Sequence, residues 1–415
     1  MRSNSLRFPV QAAAVCCCAL TITTAQAQPT LPTRSSDYLY LWTASADSTK
    51  PDFLAVIDVR PTVGRYGKLV TTVPVPGRRN VPHHSEHSMP ADGRLFVNGF
   101  GSGESFIFDM TNPAQPKLDG QFREMAGMMM PHSYLRLPNG NVLATFQMQH
   151  DDKGMAPGGI AELTNRGKLV RASSANMSGV DRRIRPYSAV IVQSLDRIVT
   201  TTTDMEGQEA VNAVQVWRLS DLKLLSTINL PNGPRGDEGA FTAEPRLMDD
   251  GKTVLVSTFN CGLYLMRDIA SAKPSAQLVA SFPPKLKTSC AIPVIAGHYY
   301  LITVPAYSAV VSLDIANPAA PREVSRAALN ATDVPHWIAI EPNHRRVVVA
   351  GYATMQNKVV LMNFNQSTGA LSIDTNFRDE NAKEPGFRMD NKVWPHGGRY
   401  AGIPHGSVFS LPPKQ

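Results

Sequence analysis

The stretch F-I-F-D-M-T-N-P-A-Q-P-K at residues 106–117 recurs in close copy as V-S-L-D-I-A-N-P-A-A-P-R at residues 311–322. Each copy has an apolar run that ends in Asp, a turn built on N-P-A-x-P, and a basic residue. Short β-branched or aromatic runs bounded by Asn and Pro are typical of strands joined by turns. The copies therefore predict a repeated unit of strand, turn and strand.

A longer unit precedes these turns at several places along the chain. It consists of a polar or His-bearing start, an apolar strand, a tight turn and a second strand. Six copies begin at Pro82, Pro131, Pro186, Glu244, Cys290 and Pro335. A seventh start, W-P-H-G-G-R-Y-A-G-I-P-H-G-S-V-F-S at 394–410, has no strands after it. The missing strands are available near the other end of the chain, in the runs between Tyr38 and Val59 and in L-V-T-T-V-P-V at 69–75.

Closure of a ring explains both the incomplete last unit and the spare first strands, because a closed ring leaves no exposed sheet edge. Long amphipathic helical patterns are absent from the sequence. We therefore predict an all-β protein, a seven-bladed β-propeller in which N-terminal strands complete the last blade. Six or eight blades are the alternatives. The propeller is expected to occupy residues 28–415 as a single domain.

The first 27 residues have the pattern of a secretory signal peptide. A basic start is followed by an apolar run and by A-Q-A, which ends at Ala27. The run is too short for a bilayer span and is interrupted by Pro9 and Gln11. This pattern predicts export to the periplasm or the medium, with Gln28 as the new terminus.

Three of the five cysteines, Cys16, Cys17 and Cys18, would be removed with this leader. Cys261 and Cys290 remain, and their spacing leaves a disulfide and two separate thiols equally open.

The charge and hydropathy patterns bear on the kind of partner. The chain has 41 Lys and Arg residues against 34 Asp and Glu, and the basic residues are scattered. No basic tract with interleaved aromatic residues is present, so a nucleic-acid partner is not expected. No stretch after the leader reaches the length of a membrane-spanning helix. The sequence does not identify a protein partner.

Three of the ten histidines lie in V-P-H-H-S-E-H-S-M-P at residues 81–90. In a propeller the first strand of each blade lines the central channel, so residues at the repeat starts converge on the axis. Histidines stand at these starts at positions 83, 84, 132, 336, 396 and 405. Neutral imidazoles suit Zn, Cu, Fe and Ni, which makes this set a candidate transition-metal site. The alternative is a set of hydrogen-bonding channel residues.

Other residues have weaker claims to a metal or catalytic role. His150, His298 and His344 lie in predicted turns and are expected at the surface. Met128 to Met130 could bind a soft metal, but adaptable core packing is the other reading. Glu86 and Glu244 are the main acidic residues near the repeat starts.

In these features the chain resembles the selenium-binding protein family, which includes the bacterial methanethiol oxidases. The resemblance is carried by H-H-S at His83, P-H-S-Y-L-R-L-P-N-G-N-V-L-A-T at Pro131, F-N-C-G-L at Phe259, D-I-A-N-P-A-A-P-R at Asp314 and H-G-G-R-Y at His396. It implies a seven-bladed propeller and a periplasmic copper enzyme that turns methanethiol, oxygen and water into formaldehyde, sulfide and peroxide.

The same resemblance implies a metal-ligand set of His83, His84, His132 and His396. His87, His336 and His405 are then supporting residues or substitute ligands. Glu86 and Tyr187 are candidates for moving protons. The expected function is that of an exported copper oxidase acting on a small thiol.

The chain also departs from the family pattern. E-H-S-M-P at 86–90 has no cysteine where relatives carry the one linked to selenium, and A-G-I-P-H-G at 401–406 replaces a Gly-Gly-Asp-Cys ending. Tyr187 and Ser188 stand where relatives tend to have His and Asn. Selenium binding through that cysteine is therefore not expected. The alternative functions are a non-enzymatic periplasmic binding or scaffold propeller and a Ca²⁺-dependent lactonase, which would need more axial carboxylates.

Overall fold

A computed structural model describes residues 31–413, apart from 62–63, 206–209, 285–289, 291, 353–354 and 380–381. The predicted leader at 1–27 lies outside the described residues, as does Gln28. Within the described part the regular structure is β-strand, with two one-turn 3₁₀ helices at Gln193–Leu195 and Pro305–Tyr307. No helix in this part of the chain has the length and hydropathy that crossing a bilayer requires.

The strands form seven blades and one small hairpin in the described residues. One blade, here blade 7, joins the two ends of the chain and contains β1 (Tyr38–Ser45), β2 (Phe53–Asp58), β3 (Leu69–Pro74) and β31 (Gly402–Phe409). Blade 1 contains β4 (Pro82–Ser85), β5 (Arg94–Gly99), β6 (Glu104–Asp109) and β7 (Lys117–Phe122). Blade 2 contains β8 (Met128–Arg136), β9 (Val142–Asp151), β10 (Gly154–Leu163) and β11 (Leu169–Ser174).

The remaining blades follow in chain order. Blade 3 contains β12 (Pro186–Val192), β13 (Arg197–Thr202), β14 (Ala213–Arg218) and β15 (Leu224–Asn229). Blade 4 contains β16 (Thr242–Leu247), β17 (Val254–Thr258), β18 (Gly262–Arg267) and β19 (Ser275–Ser281). Blade 5 contains β20 (Pro293–Ala296), β21 (Tyr299–Val304), β22 (Ala309–Asp314) and β23 (Arg322–Ala328). Blade 6 contains β24 (Val334–Ile340), β25 (Arg346–Tyr352), β26 (Lys358–Phe364), β27 (Leu371–Ile373) and β28 (Phe387–Arg388).

The seven-bladed propeller and its mode of closure are confirmed. In blade 7 the sheet order is β31-β1-β2-β3, so the last strand of the chain pairs with the first, as Leu39 opposite Phe409 shows. The two near copies at 106–117 and 311–322 occupy equivalent places, from the third strand to the start of the fourth in blades 1 and 5. The repeated sequence thus marks a repeated corner of the fold.

The segment before β31 departs from the predicted repeat start. It forms a separate hairpin of β29 (Lys392–Val393) and β30 (Arg399–Tyr400), and Pro395 and His396 lie in its connection. Only the second Pro-His pair, Pro404 and His405, lies on the innermost strand of blade 7.

An ion pair reinforces the closure between blades 6 and 7. Arg346 and Glu341 are buried and bonded to each other, with Nε to Oε2 at 2.9 Å. Arg346 also donates to the carbonyls of Val59 at 2.6 Å and Ser36 at 3.2 Å, and Glu341 accepts from the Ser36 N–H. Ser36 precedes β1 and Val59 follows β2. The ion pair of blade 6 therefore holds both ends of the β1–β2 hairpin of blade 7.

Neighbouring blades pack through apolar faces. Between blades 7 and 1 the buried cluster includes Trp42, Leu54, Leu95 and Phe106. Burial of each large side chain of this kind stabilises the fold by roughly 1.5–3 kcal/mol.

Cys261 and Cys290 form a disulfide with a Cα–Cα distance of 4.9 Å, which settles the alternatives that the sequence left open.

Candidate metal centre

An extra residue interrupts strand pairing at the same point of the innermost strand in six blades. In blade 1 the pairing passes from Pro82↔Gly99 to Ser85↔Val97, so His83 and His84 together face a single residue. The equivalent bulges contain His132 and Ser133, Tyr187 and Ser188, Ala243 and Glu244, His336, and His405 and Gly406. A bulge bends its strand and redirects side chains, which places this set at the axis.

Side chains of the second strand hold these bulges in place. Asn98 accepts the N–H of His84 at 2.6 Å and donates to the carbonyl of Pro131, in the next blade, at 3.2 Å. Thr145 likewise accepts from Ser133 at 3.0 Å and donates to Tyr187 at 2.8 Å. Thr201 repeats the pattern with Ser188 and Ala243. These bonds link the bulges of blades 1 to 4 in series.

His83, His84 and His132, here called the histidine trio, meet at the axis. Each offers one ring nitrogen, and these three atoms lie within 4.8 Å of one another. The ring centroids are 4.5 Å apart for His83 and His84 and 4.2 Å apart for His84 and His132. All three side chains are buried. These are three of the four residues in the ligand set implied by the family resemblance.

The free nitrogens of the trio have the form that a metal ligand needs. His132 donates Nδ1–H to the carbonyl of Tyr187 at 2.9 Å, which leaves the lone pair on Nε2. The Nε2 atoms of His83 and His132 are buried and have no partner among the described residues. An unpaired buried acceptor is costly unless a ligand or ion satisfies it.

Electrostatics keep the trio neutral. Burial lowers the pKa of His132 to about 3, against the opposing charge of Glu244 and the bond to Tyr187. Burial and then the neighbouring imidazoles hold the pKa values of His83 and His84 well below the usual range. A neutral imidazole is the species that coordinates a metal.

Two more histidines extend the cluster. The His405 ring lies 4.3 Å from that of His83, and its Nδ1 donates to the His83 carbonyl at 2.6 Å while its Nε2 accepts from the Tyr352 hydroxyl at 2.7 Å. The His336 ring is 5.0 Å from that of His405, and its buried Nε2 has no partner in the described part of the chain. His405 is therefore saturated, whereas His336 keeps an open position.

The structure does not bring His396 to the trio. Its Nδ1 is 2.6 Å from the Thr72 hydroxyl and its Nε2 is 2.5 Å from the Tyr400 hydroxyl, with the ring packed 4.7 Å from Phe53. The reason is that Pro395 and His396 belong to the β29–β30 connection rather than to an innermost strand. His405 lies instead in the blade 7 bulge.

A second layer contains Glu244, His87 and Trp337. His87 stacks on Trp337 with ring centroids 5.0 Å apart, and Trp337 lies 5.0 Å from His84. Glu244 is fully buried, and its Oε2 accepts from Ser188 at 2.7 Å and from Arg246 at 2.6 Å. Burial raises the pKa of Glu244, but Arg246 and His87 outweigh it and hold the pKa at about 2.

The structure also locates the other candidates from the sequence. Glu86 binds Arg136 at 2.7 Å and the Phe96 N–H at 2.9 Å, so its carboxylate is engaged outside the trio. His150 and His298 are exposed and His344 is half-buried. Met128 is buried in the packing between blades 1 and 2.

Sequence reasoning gave no role to Trp337 or to Phe259, whose ring stacks 6.1 Å from that of His336. A sequence signal for Trp337 does exist. When the repeats are aligned on their starts, Trp337 falls in the same column as Glu244 and His84, together with Ser133 and Ser188. Phe259 follows a second strand, β17, so that alignment would not reveal it.

No family model matches the chain. A methanethiol oxidase from Hyphomicrobium sp. is 27% identical over 225 residues, which cover 49% of this chain and 51% of that protein. A methanethiol oxidase from Ruegeria pomeroyi is 33% identical over 130 residues, 29% of each chain. The chain thus matches about half the length of the first relative and less than a third of the second.

Solved structures support the fold. A hypothetical selenium-binding protein from Sulfolobus tokodaii superposes with a TM-score of 0.71 at 18% identity, covering 91% of this chain and 94% of that one. A periplasmic gluconolactonase from Pseudomonas aeruginosa gives 0.61 at 13% identity, covering 91% and 99%. Propellers with differently named activities thus share this architecture, so the fold by itself assigns no reaction. The sequence matches are what relate this chain to proteins named methanethiol oxidase and selenium-binding protein.

Proposed function

We propose that the chain is an exported, copper-dependent oxidase of a small thiol, with the metal held by His83, His84 and His132. The observation that carries the proposal is the trio itself: three buried imidazoles with one nitrogen each inside 4.8 Å. His83 and His132 each keep an unpartnered buried Nε2. His396, which the family resemblance implied as a fourth ligand, is not part of this proposal.

The donor set favours a transition metal over Ca²⁺ or Mg²⁺. Neutral imidazole nitrogens suit Zn, Cu, Fe and Ni, whereas the alkaline-earth ions require cages of oxygen atoms. Copper is the choice within that group because the family resemblance seen in the sequence implies a copper enzyme, and the chain is similar in sequence to proteins named methanethiol oxidase. Bound there, copper would supply one-electron chemistry and a coordination position for sulfur or oxygen.

The surrounding residues orient the trio and restrict water. The Tyr187 carbonyl sets the proton position of His132, and the bulge bonds of Asn98 and Thr145 fix the backbone below. The Phe100 ring lies 5.8 Å from that of His83, and Phe259 and Tyr187 have ring centroids 5.5 Å apart. These rings give the trio apolar aromatic surroundings, which are compatible with a small substrate that has an apolar group such as a methyl.

Export is part of the proposal. It is supported by the signal-peptide pattern that ends at Ala27 and by the Cys261–Cys290 disulfide, since such bonds persist mainly in oxidising compartments. A small-molecule substrate is the expected partner.

Metal analysis of protein produced by export tests the metal claim. We expect close to one equivalent of copper in the wild type and its loss in His132→Ala. His396→Ala is the matched control, because that ring is bonded to Thr72 and Tyr400 outside the trio, and it should keep the metal. A wild type that retains less than about a fifth of an equivalent of any transition metal after reconstitution would favour the non-enzymatic binding protein.

Oxygen and thiol consumption test the reaction separately. The copper-loaded wild type should consume methanethiol and oxygen and release sulfide and peroxide, and His132→Ala should not. If copper binds but methanethiol persists, the metal site is retained and the substrate claim is withdrawn.

A further inference from the structure

The two carboxylate oxygens of Glu244 have different surroundings. Oε2 accepts from the Ser188 hydroxyl and from Arg246, and His87 Nε2 lies 3.5 Å away. Oε1 is buried and has no hydrogen-bond partner in the described residues, and it lies 3.9 Å from Nδ1 of His84. The carboxylate thus keeps one oxygen free and directs it at a member of the trio.

The position of this free oxygen is fixed by its surroundings. Glu244 lies in the bulge of blade 4, and its N–H is 3.3 Å from the Ser257 hydroxyl. Arg246 is held in turn by the carbonyls of Pro293 at 2.8 Å and Pro245 at 2.9 Å. The side chain therefore cannot turn Oε1 away from His84 without breaking bonds on Oε2.

The other partners of His84 do not determine where its proton resides. Nδ1 is 3.2 Å from the Ser133 hydroxyl, and Nε2 is 3.0 Å from the Tyr187 hydroxyl. Each hydroxyl can donate or accept, so these bonds are compatible with either neutral tautomer. An ionised carboxylate only accepts, and beside Nδ1 it favours the tautomer that carries the proton there.

We propose that Glu244 is a positioning residue that places the proton of His84 on Nδ1 and leaves the Nε2 lone pair for the metal. The metal part of this inference rests on the proposed function, whereas the tautomer part does not. At 3.9 Å the Oε1 atom acts on His84 through its charge and not through a hydrogen bond. Carboxylates beside the second N–H of a metal-bound histidine orient the ring and increase its basicity, and the loss of such a partner typically lowers metal affinity 10- to 100-fold.

The tautomer is measured in the metal-free protein by ¹⁵N NMR of labelled histidines, with the His84 signals assigned from a His84→Asn variant. We expect a proton on Nδ1 of His84 in the wild type. In Glu244→Gln the acceptor-only charge is gone and the Nε2–H form should become substantially populated. A wild-type His84 protonated on Nε2, or signals that do not move in Glu244→Gln, would overturn the inference.

Glu162→Gln is the matched control, because Glu162 is also buried and bonded to an arginine, Arg171, at 2.7 Å on β10. It should leave the His84 signals unchanged. Ser188→Ala keeps the charge of Glu244 but removes a bond to Oε2, and it provides a second test if Glu244→Gln fails to fold. Persistence of the Nδ1–H form in Ser188→Ala supports the inference, because the carboxylate keeps its charge and Arg246 still holds Oε2 in place, and its loss contradicts it.

Copper(II) affinity, measured by competition with a chelator, supplies the metal readout. Glu244→Gln should bind about 10- to 100-fold more weakly than the wild type, with Glu162→Gln unchanged. If the wild type binds no copper, the proposed function fails while the tautomer result still decides the role of Glu244. Equal affinity in wild type and Glu244→Gln would overturn the role toward the metal.

Discussion

Tyr187 contacts two members of the trio through different groups. Its carbonyl accepts Nδ1–H of His132 at 2.9 Å, and its hydroxyl lies 3.0 Å from Nε2 of His84. The residue stands at the bulge of blade 3, where the repeat places a histidine in blades 1, 2, 6 and 7. One side chain therefore competes for His84 while its backbone orients His132.

Tyr187→Phe separates these two roles, because it keeps the carbonyl and removes the hydroxyl. We expect the free energy of unfolding of the metal-free protein to fall by about 1 kcal/mol, the usual net contribution of one hydrogen bond. Copper should bind roughly 2- to 10-fold more tightly, since Nε2 of His84 no longer has to release the hydroxyl. Urea unfolding and a chelator titration provide the two values. Weaker copper binding would mean that the hydroxyl supports the metal rather than competing with it.

Replacing His405 and His396 separately tests which histidine of the C-terminal segment serves the site. His405→Ala removes a ring 4.3 Å from His83 and a bond to the His83 carbonyl, so copper affinity should fall about 10- to 100-fold. His396→Ala should leave the affinity within about twofold and cost about 1 kcal/mol of stability for each lost bond. The reverse order of affinities would restore His396 as the ligand.

The metal-free protein should lose stability on mild acidification. Burial lowers the pKa values of five axial histidines, to about 3 for His132 and about 4 for His405 and well below the usual value for His83, His84 and His336. In the unfolded chain these groups take up protons as the pH falls through about 6.5, whereas in the folded chain they do not. The contribution of these buried neutral histidines to the free energy of unfolding is therefore fully present above about pH 6.5 and is lost progressively as the pH falls below it.

Each of these histidines contributes a slope of up to roughly 1.4 kcal/mol per pH unit. Melting temperatures measured from pH 8 to pH 5 should stay level above about pH 7 and fall steeply below pH 6. His298→Gln, at an exposed position, is the control and should show the same profile. A level profile down to pH 5 would contradict the neutral, buried state of the cluster.

Breaking the ion pair between Glu341 and Arg346 should destabilise the ring. Arg346→Met removes the bonds to Val59 and Ser36 and leaves a buried carboxylate without its cation, which costs about 3–5 kcal/mol. The double variant Glu341→Gln with Arg346→Met should recover part of that loss, because the unpaired charge is gone. Urea unfolding followed by circular dichroism measures both. A single variant as stable as the wild type would show that closure depends on strand pairing alone.

The repeats carried the prediction of the fold because a propeller blade is a local unit. The turn at 106–117 and its copy at 311–322 use the same residue types at the same corner, and that periodicity is visible without coordinates. The spare strands at residues 38–75 and the incomplete final unit required closure, since open sheet edges are unfavourable. The pairing of Leu39 with Phe409 follows from that argument.

The site was predictable only in part. His83 and His132 each stand directly after the proline that starts a repeat, and His84 follows His83. Alignment of the repeats therefore brings the three histidines together. His396 also follows a proline, but Gly397 and Gly398 directly after it are a turn signal, in line with the two-stranded hairpin that removes it from the innermost strand. In the folded chain Trp394 and His396 both pack on Phe53, which is distant from them in sequence, so this placement depends on a tertiary contact.

By itself the sequence determined the β-strand content, the seven-fold repeat, the closure of the ring and the convergence of histidines, because each of these depends on patterns that recur along the chain. Only the tertiary structure decided that His405 rather than His396 reaches the axis, that Tyr187 binds two trio histidines, and that Glu244 directs a free oxygen at His84. These relationships depend on one-residue bulges in different blades and on distances of a few ångströms between them. No single stretch of sequence encodes such distances, since they arise when separate blades pack around a common axis.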